Sequence, residues 1–439
     1  MLFLFLSTLI IFGLSKYFYK TWVHPIVLFS GTWLVIFFLY LLQLFDITPL
    51  TMQMNIILFL MIISFAAGAL AYQFLEKFLK SSKKNSQKND DCASYSLRSK
   101  LFLILCFVTI IIMFKDELSI IQSLLGGANF EDIQKMAGGK NTVNYSGPLQ
   151  ISFYMLVVFP ITAIVSPVCA VEFFSRKDNK KFIFFIVNII IVMLNVASRG
   201  GRNTVLVMLV SYMCVYTLFG KKTKISRTTR NNMIIMFCCC SVLIVSLSVS
   251  RGISAVFLSF YAYMITAIPL GQVFLNDLFV SSHLSYGFFS VKGFFQPIYM
   301  LLNYFGIHAP EGYENAVSVR EFMEASYYSI GDYSVTGMNS FMPAGAIAYV
   351  DGRYVGEIII MFLYGMFSMW IYYRQQSNHR AVWNGGIICN KKDTAAYAMC
   401  AYGLFLSFAM LWFERSGYAV GFLYIMLLFY SKRHKETTE

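Results

Sequence analysis

KFIFFIVNIIIVMLNVASRGGRNTVLVMLVSYMCVYTLFG, residues 181 to 220, is two apolar runs joined by a turn of a few residues. The runs, 181–198 and 203–220, each approach the roughly 17–25 residues that a helix needs to cross a bilayer. Neither alternates apolar and polar residues with a period of two, so they do not read as barrel strands. The turn places Gly200 and Gly201 between Arg199 and Arg202. Two successive spans with two arginines at a tight turn are therefore the expectation, and the side of the membrane on which the turn lies becomes the question.

The rest of the chain repeats this pattern. Of its 439 residues, 58% are hydrophobic and only 13% charged, and the apolar residues come in blocks rather than stripes, which excludes an ordinary soluble domain. Further spans are expected near 2–18, 26–45, 53–75, 100–115, 149–171, 232–250, 354–373, 394–413 and 416–431. Two weaker apolar segments, 253–276 and 284–306, contribute either no crossing or two. The expected fold is an all-α polytopic membrane protein of about 11–13 transmembrane helices, a single domain over 1–439. MLFLFLSTLIIFGLSKYFYK lacks a basic leader and a small-residue cleavage site, so it reads as the first span. The nine cysteines, most of them within apolar runs, include no CxxC pair and no metal-ligand spacing.

The formal charge of +13 reads as positive-inside bias rather than as a nucleic-acid surface. The loop 76–100, EKFLKSSKKNSQKNDDCASYSLRSK, is strongly basic and expected on the cytoplasmic side, together with SRKDNKK, GKKTKISRTTR and the C-terminal SKRHKETTE. Counting spans from both ends then puts the N-terminus outside, the C-terminus inside, and residues 307–353 in a large outer loop. The SRGGR turn falls outside too, as do Arg251, Arg320, Arg353 and Arg415. Basic loops rich in lysine on one face and arginine on the other are not explained by topology alone. A guanidinium fork grips phosphate or carboxylate in a bidentate way that an ammonium does not. An outer anion site is one reading; headgroup contact or pairing with nearby acids is the other.

Candidate acids and bases lie in the large loop: Glu314, Glu321, His308, and Asp351, which leads into a span as Asp351-Gly352-Arg353. Asp351 reads equally as a base beside an anion clamp and as a helix cap. Arg320 and Glu324 stand four residues apart, a spacing that also suits a mutual ion pair. Gly356 and Gly365 have small-residue spacing suited to close helix packing. In an earlier outer segment Asp116, Glu117, Glu131 and Asp132 are further carboxylates. No phosphate-binding glycine loop, dinucleotide fingerprint, serine elbow or HExxH helix is present, and no histidine pair has a metal spacing, so no cofactor or metal is expected.

ASRGGRNTVL at a tight outer turn, a long outer loop late in the chain, and NSFMPAGAIAYVDGRYVGEIIIMFLYG after it resemble the bacterial oligosaccharide repeat-unit polymerases, the Wzy type that builds O-antigen and capsular polysaccharide. The likeness covers most of the chain as layout but only these two motifs residue by residue. Family members often carry an aromatic residue between the aspartate and the glycine; here Asp351 and Gly352 are adjacent. The resemblance implies a glycosyltransferase in the bacterial inner membrane. It would transfer a growing glycan from undecaprenyl pyrophosphate onto a single lipid-linked repeat unit, with membrane lipids, a flippase and a chain-length regulator as partners and no nucleic acid. Arg199 and Arg202, supported by Arg251, Arg320, Arg353 and Arg415, would hold the departing pyrophosphate. A base among Asp351, Glu314, Glu321 and His308 would take the acceptor proton. An O-antigen ligase shares this donor, and a flippase or other transporter predicts internal repeats and ionisable residues deep in the spans.

Overall fold

The computed structural model describes residues 1–44, 47–83, 94–125, 148–175, 178–199, 203–220, 261–326, 328, 341–377, 382–383, 386–387 and 390–432. The expected span 232–250 lies outside them, as do Gly200, Gly201, Arg202, Arg251, Glu131 and Asp132 and the side chains of Asp116, Glu117 and Arg199. The fold is all-α apart from short strands. Among the described residues, four helices are long and apolar enough to cross a membrane: Leu2–Tyr19, Met52–Leu79, Ile151–Ser175 and Ala344–Gln376. Pro25–Leu41, Lys181–Val196, Thr204–Phe219 and Ser416–Leu428 are shorter apolar helices. The chain gathers into two compact units.

The first unit comprises Met1–Asp90, Phe257–Tyr373 and Gly403–Arg415. Its helices Met52–Lys83 and Ala344–Ser377 touch backbone to backbone, because a Cβ on Gly68 would run into the Phe362 carbonyl and one on Gly365 into that of Phe65. Phe29 stacks on Phe65 nearby at 4.0 Å, and Trp33 donates to Ser407 Oγ at 3.0 Å. Among the described residues the weaker apolar segments contribute the helices Ala267–Asn276 and Phe288–Tyr304, with the short helix Leu278–Ser282 between them, none of the three of spanning length and apolarity. Asp277 ends the first and caps the short one by accepting the Phe279 N–H. The segment expected as a large outer loop, 307–353, contains the helix Glu311–Ala325, with Glu311 and Glu314 suitably placed in its first turn. It also contains a buried stretch in which Met342, Ala344, Ala346, Ile347, Ala348 and Val350 are fully enclosed.

The span expected at 354–373 is helical throughout, with a break just ahead of it, and the span expected at 394–413 is itself broken. The helix Ala344–Ser377 starts ahead of residue 354 and is interrupted at Gly352 and Arg353. Arg353 adopts φ 57° and ψ −150°, a region that normally requires glycine. The segment 394–413 is helical only to Phe405 and then turns through Leu406–Phe408 and Trp412–Glu414. Gly403 permits this return, since a Cβ there would lie 2.8 Å from the Trp412 ring.

The second unit comprises Asp91–Val256, Arg374–Tyr402 and Ser416–Glu439. Asn188 joins three of its helices, accepting from Ser166 Oγ at 2.9 Å and donating to Tyr212 OH at 3.4 Å. Across the arginine turn Thr204 Oγ1 donates to Asn195 Oδ1 at 2.8 Å. At one end Ser94–Leu97 pairs antiparallel with Phe429–Lys432, and the Lys392 ammonium lies 4.2 Å from the Tyr95 ring centre. Lys391 pairs there with buried Glu172 at 3.0 Å, and Arg374 with Asp393 at 3.5 Å.

Candidate functional site

In the first unit, the helix Phe288–Tyr304 begins at Gly287, whose φ of 90° suits a residue without a side chain. The Ser285 carbonyl accepts the Phe288 N–H at 2.9 Å, but no side chain of the helix's own leading sequence caps it. The cap comes from Asp351, a residue 2% exposed. One carboxylate oxygen accepts the Phe289 N–H at 2.8 Å; the other accepts the Ser290 N–H at 2.8 Å and the Ser290 hydroxyl. A carboxylate at a helix N-terminus satisfies orphan amides and favours the helix dipole. Both oxygens of Asp351 are thereby engaged.

Lys292 and Gly293 follow one turn later. A Cβ on Gly293 would lie 2.5 Å from the Arg415 carbonyl and 2.7 Å from that of Phe413, so only glycine lets this helix rest on the Trp412–Arg415 backbone. The contact assembles a cluster of charges. Arg320, 4% exposed, donates through Nε to Glu324 at 2.8 Å, and its Nη1 stands 2.9 Å from Glu414 as an ion pair without the angle of a hydrogen bond. Arg415 donates through Nη1 to the same Glu324 oxygen at 3.2 Å. Lys292 and Glu414 are both buried. Lys292, Arg320 and Arg415 thus gather with Glu324 and Glu414, and Glu321 adds a third negative charge near Lys292, so that cations and carboxylates are equal in number. Burial pushes the Lys292 ammonium down to about 8; Glu414 opposes that fall and Arg320 adds to it.

Arg415, partly exposed, is the guanidinium of this cluster that solvent reaches, whereas the Arg320 nitrogens are enclosed. Arg320 Nη2 has no hydrogen-bond partner among the described residues. Arg415 is 39% exposed and, among the described residues, makes its side-chain hydrogen bond through Nη1 to Glu324. The two glutamates hold the guanidiniums in place, and water has access through the partly exposed Arg415–Glu324 pair.

Of the residues singled out in the sequence, the structure brings Arg320 and Arg415 together through Glu324 and ties Asp351 to the helix that carries Lys292. Arg353 stands apart from them, donating through Nη2 to the Ser281 carbonyl with its guanidinium 5.5 Å from the Tyr349 ring centre. Glu314, Glu321 and His308 are exposed, and Glu321 is close enough to Lys292 to act on its charge. Gly352 is at the break itself, and Gly356 faces the Ala348 carbonyl just beyond it. Arg199 ends the helix Lys181–Arg199 and the next opens at Asn203. Lys292 and Glu414 were not anticipated. Each is a charge inside an otherwise apolar run, and that alone marks a residue for attention.

Compared with protein-family models, curated proteins and solved structures, the chain matches none.

Proposed function

We propose that this chain is a polytopic membrane glycosyltransferase that joins lipid-pyrophosphate-linked oligosaccharide repeat units at the outer leaflet of the bacterial inner membrane. The observation that carries the reading is the arginine cluster: two guanidiniums paired with two glutamates, with the buried Lys292 ammonium close enough to feel them. Apolar faces left exposed on the helices long enough to span, as at Phe3, Ile10 and Phe74, are what contact with lipid chains requires. The chemistry is a displacement. An acceptor hydroxyl oxygen bonds to the donor sugar's anomeric carbon, the bond from that carbon to the pyrophosphate oxygen breaks, and the lipid pyrophosphate leaves with the electron pair. Fixed guanidiniums stabilise charge that develops on the leaving oxygen. Arg415 and Arg320 serve that role in the first unit, and the Arg199–Arg202 turn is the corresponding candidate in the second. With Asp351 committed to a helix cap, Glu321 is the carboxylate we assign to take the hydroxyl proton.

The reading also places the N-terminus outside and the C-terminus in the cytoplasm. The meeting of Ser94–Leu97, Lys392 and Phe429–Lys432 at one end supports it, since those segments carry the lysine-rich loops. A second reading, transport of the lipid-linked glycan, is favoured by one observation: Glu357, fully buried on a helix of spanning length.

Deleting the gene in its host and resolving surface glycan on a gel tests these readings. The polymerase reading predicts loss of the ladder while single repeat units still reach the surface. Loss of single units as well supports transport, and full-length polymer retained on its lipid carrier supports a ligase. In the polymerase case Arg415→Lys, which keeps the charge and loses the fork, lowers chain extension by about 10²-fold with normal membrane insertion. Wild-type extension by that variant removes Arg415 from the clamp.

A further inference from the structure

The broken helix Ala344–Ser377 contains a second feature that the arginine cluster does not use. In a straight helix Gly345 and Glu357 would lie about 18 Å apart along the axis, at 1.5 Å per residue. Here a Cβ on Gly345 would come within 3.0 Å of Glu357 Oε1. The rings of Tyr349 and Tyr354, on either side of the break, lie 5.0 Å apart. The break at Gly352 and Arg353 therefore folds a short arm, 344–351, back along the start of the long one.

Glu357 is trapped in that fold. It is 0% exposed, and among the described residues no side chain donates a hydrogen bond to either carboxyl oxygen, the Met61 backbone being the one polar group that acts on it. Gly345 closes one side and touches the Met61 side chain, whose sulfur accepts the Gly345 N–H at 3.2 Å. No arginine, lysine or histidine among the described residues forms an ion pair with Glu357. Of the titratable groups nearby, Tyr354 lies on the long arm and Glu357's own field acts on it. Asp351, on the short arm, is engaged by Phe289 and Ser290, and Arg353 by Ser281. The helix Met52–Lys83 presents Met61 and, around it, apolar residues such as Ile57, Leu58 and Phe65. An isolated carboxylate in such a place costs far more to bury than the neutral acid.

We propose that Glu357 is a proton-binding site, occupied while the short arm is folded against the long one and emptied when the arm moves away. The same arm carries Asp351, so its movement uncaps the helix that bears Lys292 and connects the proton site to the charge cluster. This inference stands on the fold of one helix and does not depend on the glycan chemistry.

The test uses the full-length protein in native membranes, treated with the hydrophobic reagent dicyclohexylcarbodiimide across a pH series and read by peptide mass spectrometry. A protonated carboxyl transfers its proton to a carbodiimide nitrogen while its oxygen bonds to the central carbon. The adduct rearranges to a stable acylurea with no leaving group. Labelling at Glu357 is expected, falling roughly tenfold for each pH unit above its titration point, and vanishing in Glu357→Gln.

Thermal melting of the purified protein decides the matter where the reagent does not reach the site. Glu357→Gln should melt with wild type at low pH and lack the decline that wild type shows as pH rises. A glutamine variant that melts lower at every pH overturns the proposal, because the carboxylate is then ionised and paired. So does a wild type stabilised by sodium or potassium ions, or one whose pH dependence the variant shares.

Discussion

Asp351 gathers three donors from Phe289 and Ser290 onto one buried carboxylate. Hydrogen bonds to a charged acceptor contribute about 1.5–3 kcal/mol each, and caps about 1 kcal/mol. Asp351→Ala is therefore expected to lower stability by a few kcal/mol, roughly 2–4, and Ser290→Ala, which spares the two amide donors, by about 1 kcal/mol. Melting of the detergent-solubilised variants measures both, and equal losses would remove the capping account. From sequence Asp351-Gly352-Arg353 was open between base and cap, because the amides that decide it come from a distant helix that no local pattern connects to it. Lys292 gives a second test at this scale. Its ammonium is held at about 8, below the 10.5 of a free lysine, so between those values the unfolded chain binds more protons than the folded one. The Lys292 contribution to stability then rises with pH across that window, by up to roughly 3 kcal/mol. Lys292→Met should flatten the rise in chemical denaturation series run below and above the window, and an unchanged slope would assign it to another group.

Single elements show where hydropathy stops informing. The helices Leu2–Tyr19, Pro25–Leu41, Lys181–Arg199 and Asn203–Gly220 fall close to the apolar runs that suggest them, since continuous apolar sequence needs an element that satisfies its own backbone. The broken elements are not legible in this way. Nothing in AYVDGRYVG announces that Arg353 will take a glycine-like backbone; that follows from the grip of Asp351 on one helix and of Arg353 on Ser281. The turn after Phe405 likewise depends on Trp412 lying against Gly403. Gly293 is the sharpest case of a long-range requirement read as an ordinary helical residue. Gly293→Ala should drive its new methyl into the Arg415 carbonyl and cost about 1–3 kcal/mol. Because the strain falls on Arg415, chain extension should drop in the same variant even where the protein still inserts. An alanine variant with wild-type melting and extension would show that the helix can slide without disturbing the cluster.

At the scale of the molecule, the question is which groups share a side. Tyr95, Lys392 and the strand Phe429–Lys432 come together within one unit although they lie far apart in sequence. Short loops rich in lysine stay on the cytoplasmic side during insertion, and a hydrogen-bonded strand pair cannot be split across a bilayer. The proposed topology therefore fixes Lys392 inside, whereas the helix Glu311–Ala325, with Glu314 exposed, belongs outside. Cysteine introduced as Lys392→Cys should react with a membrane-impermeant maleimide only after the cells are opened, and Glu314→Cys should react in intact cells, each compared with the parent protein. The described native cysteines, Cys106, Cys169, Cys214 and Cys400, are buried and should add little background. Reaction of Lys392→Cys in intact cells would invert the topology. The arginine cluster would then face the cytoplasm, where a lipid-linked repeat unit awaits export rather than polymerisation, and the transport reading would take precedence.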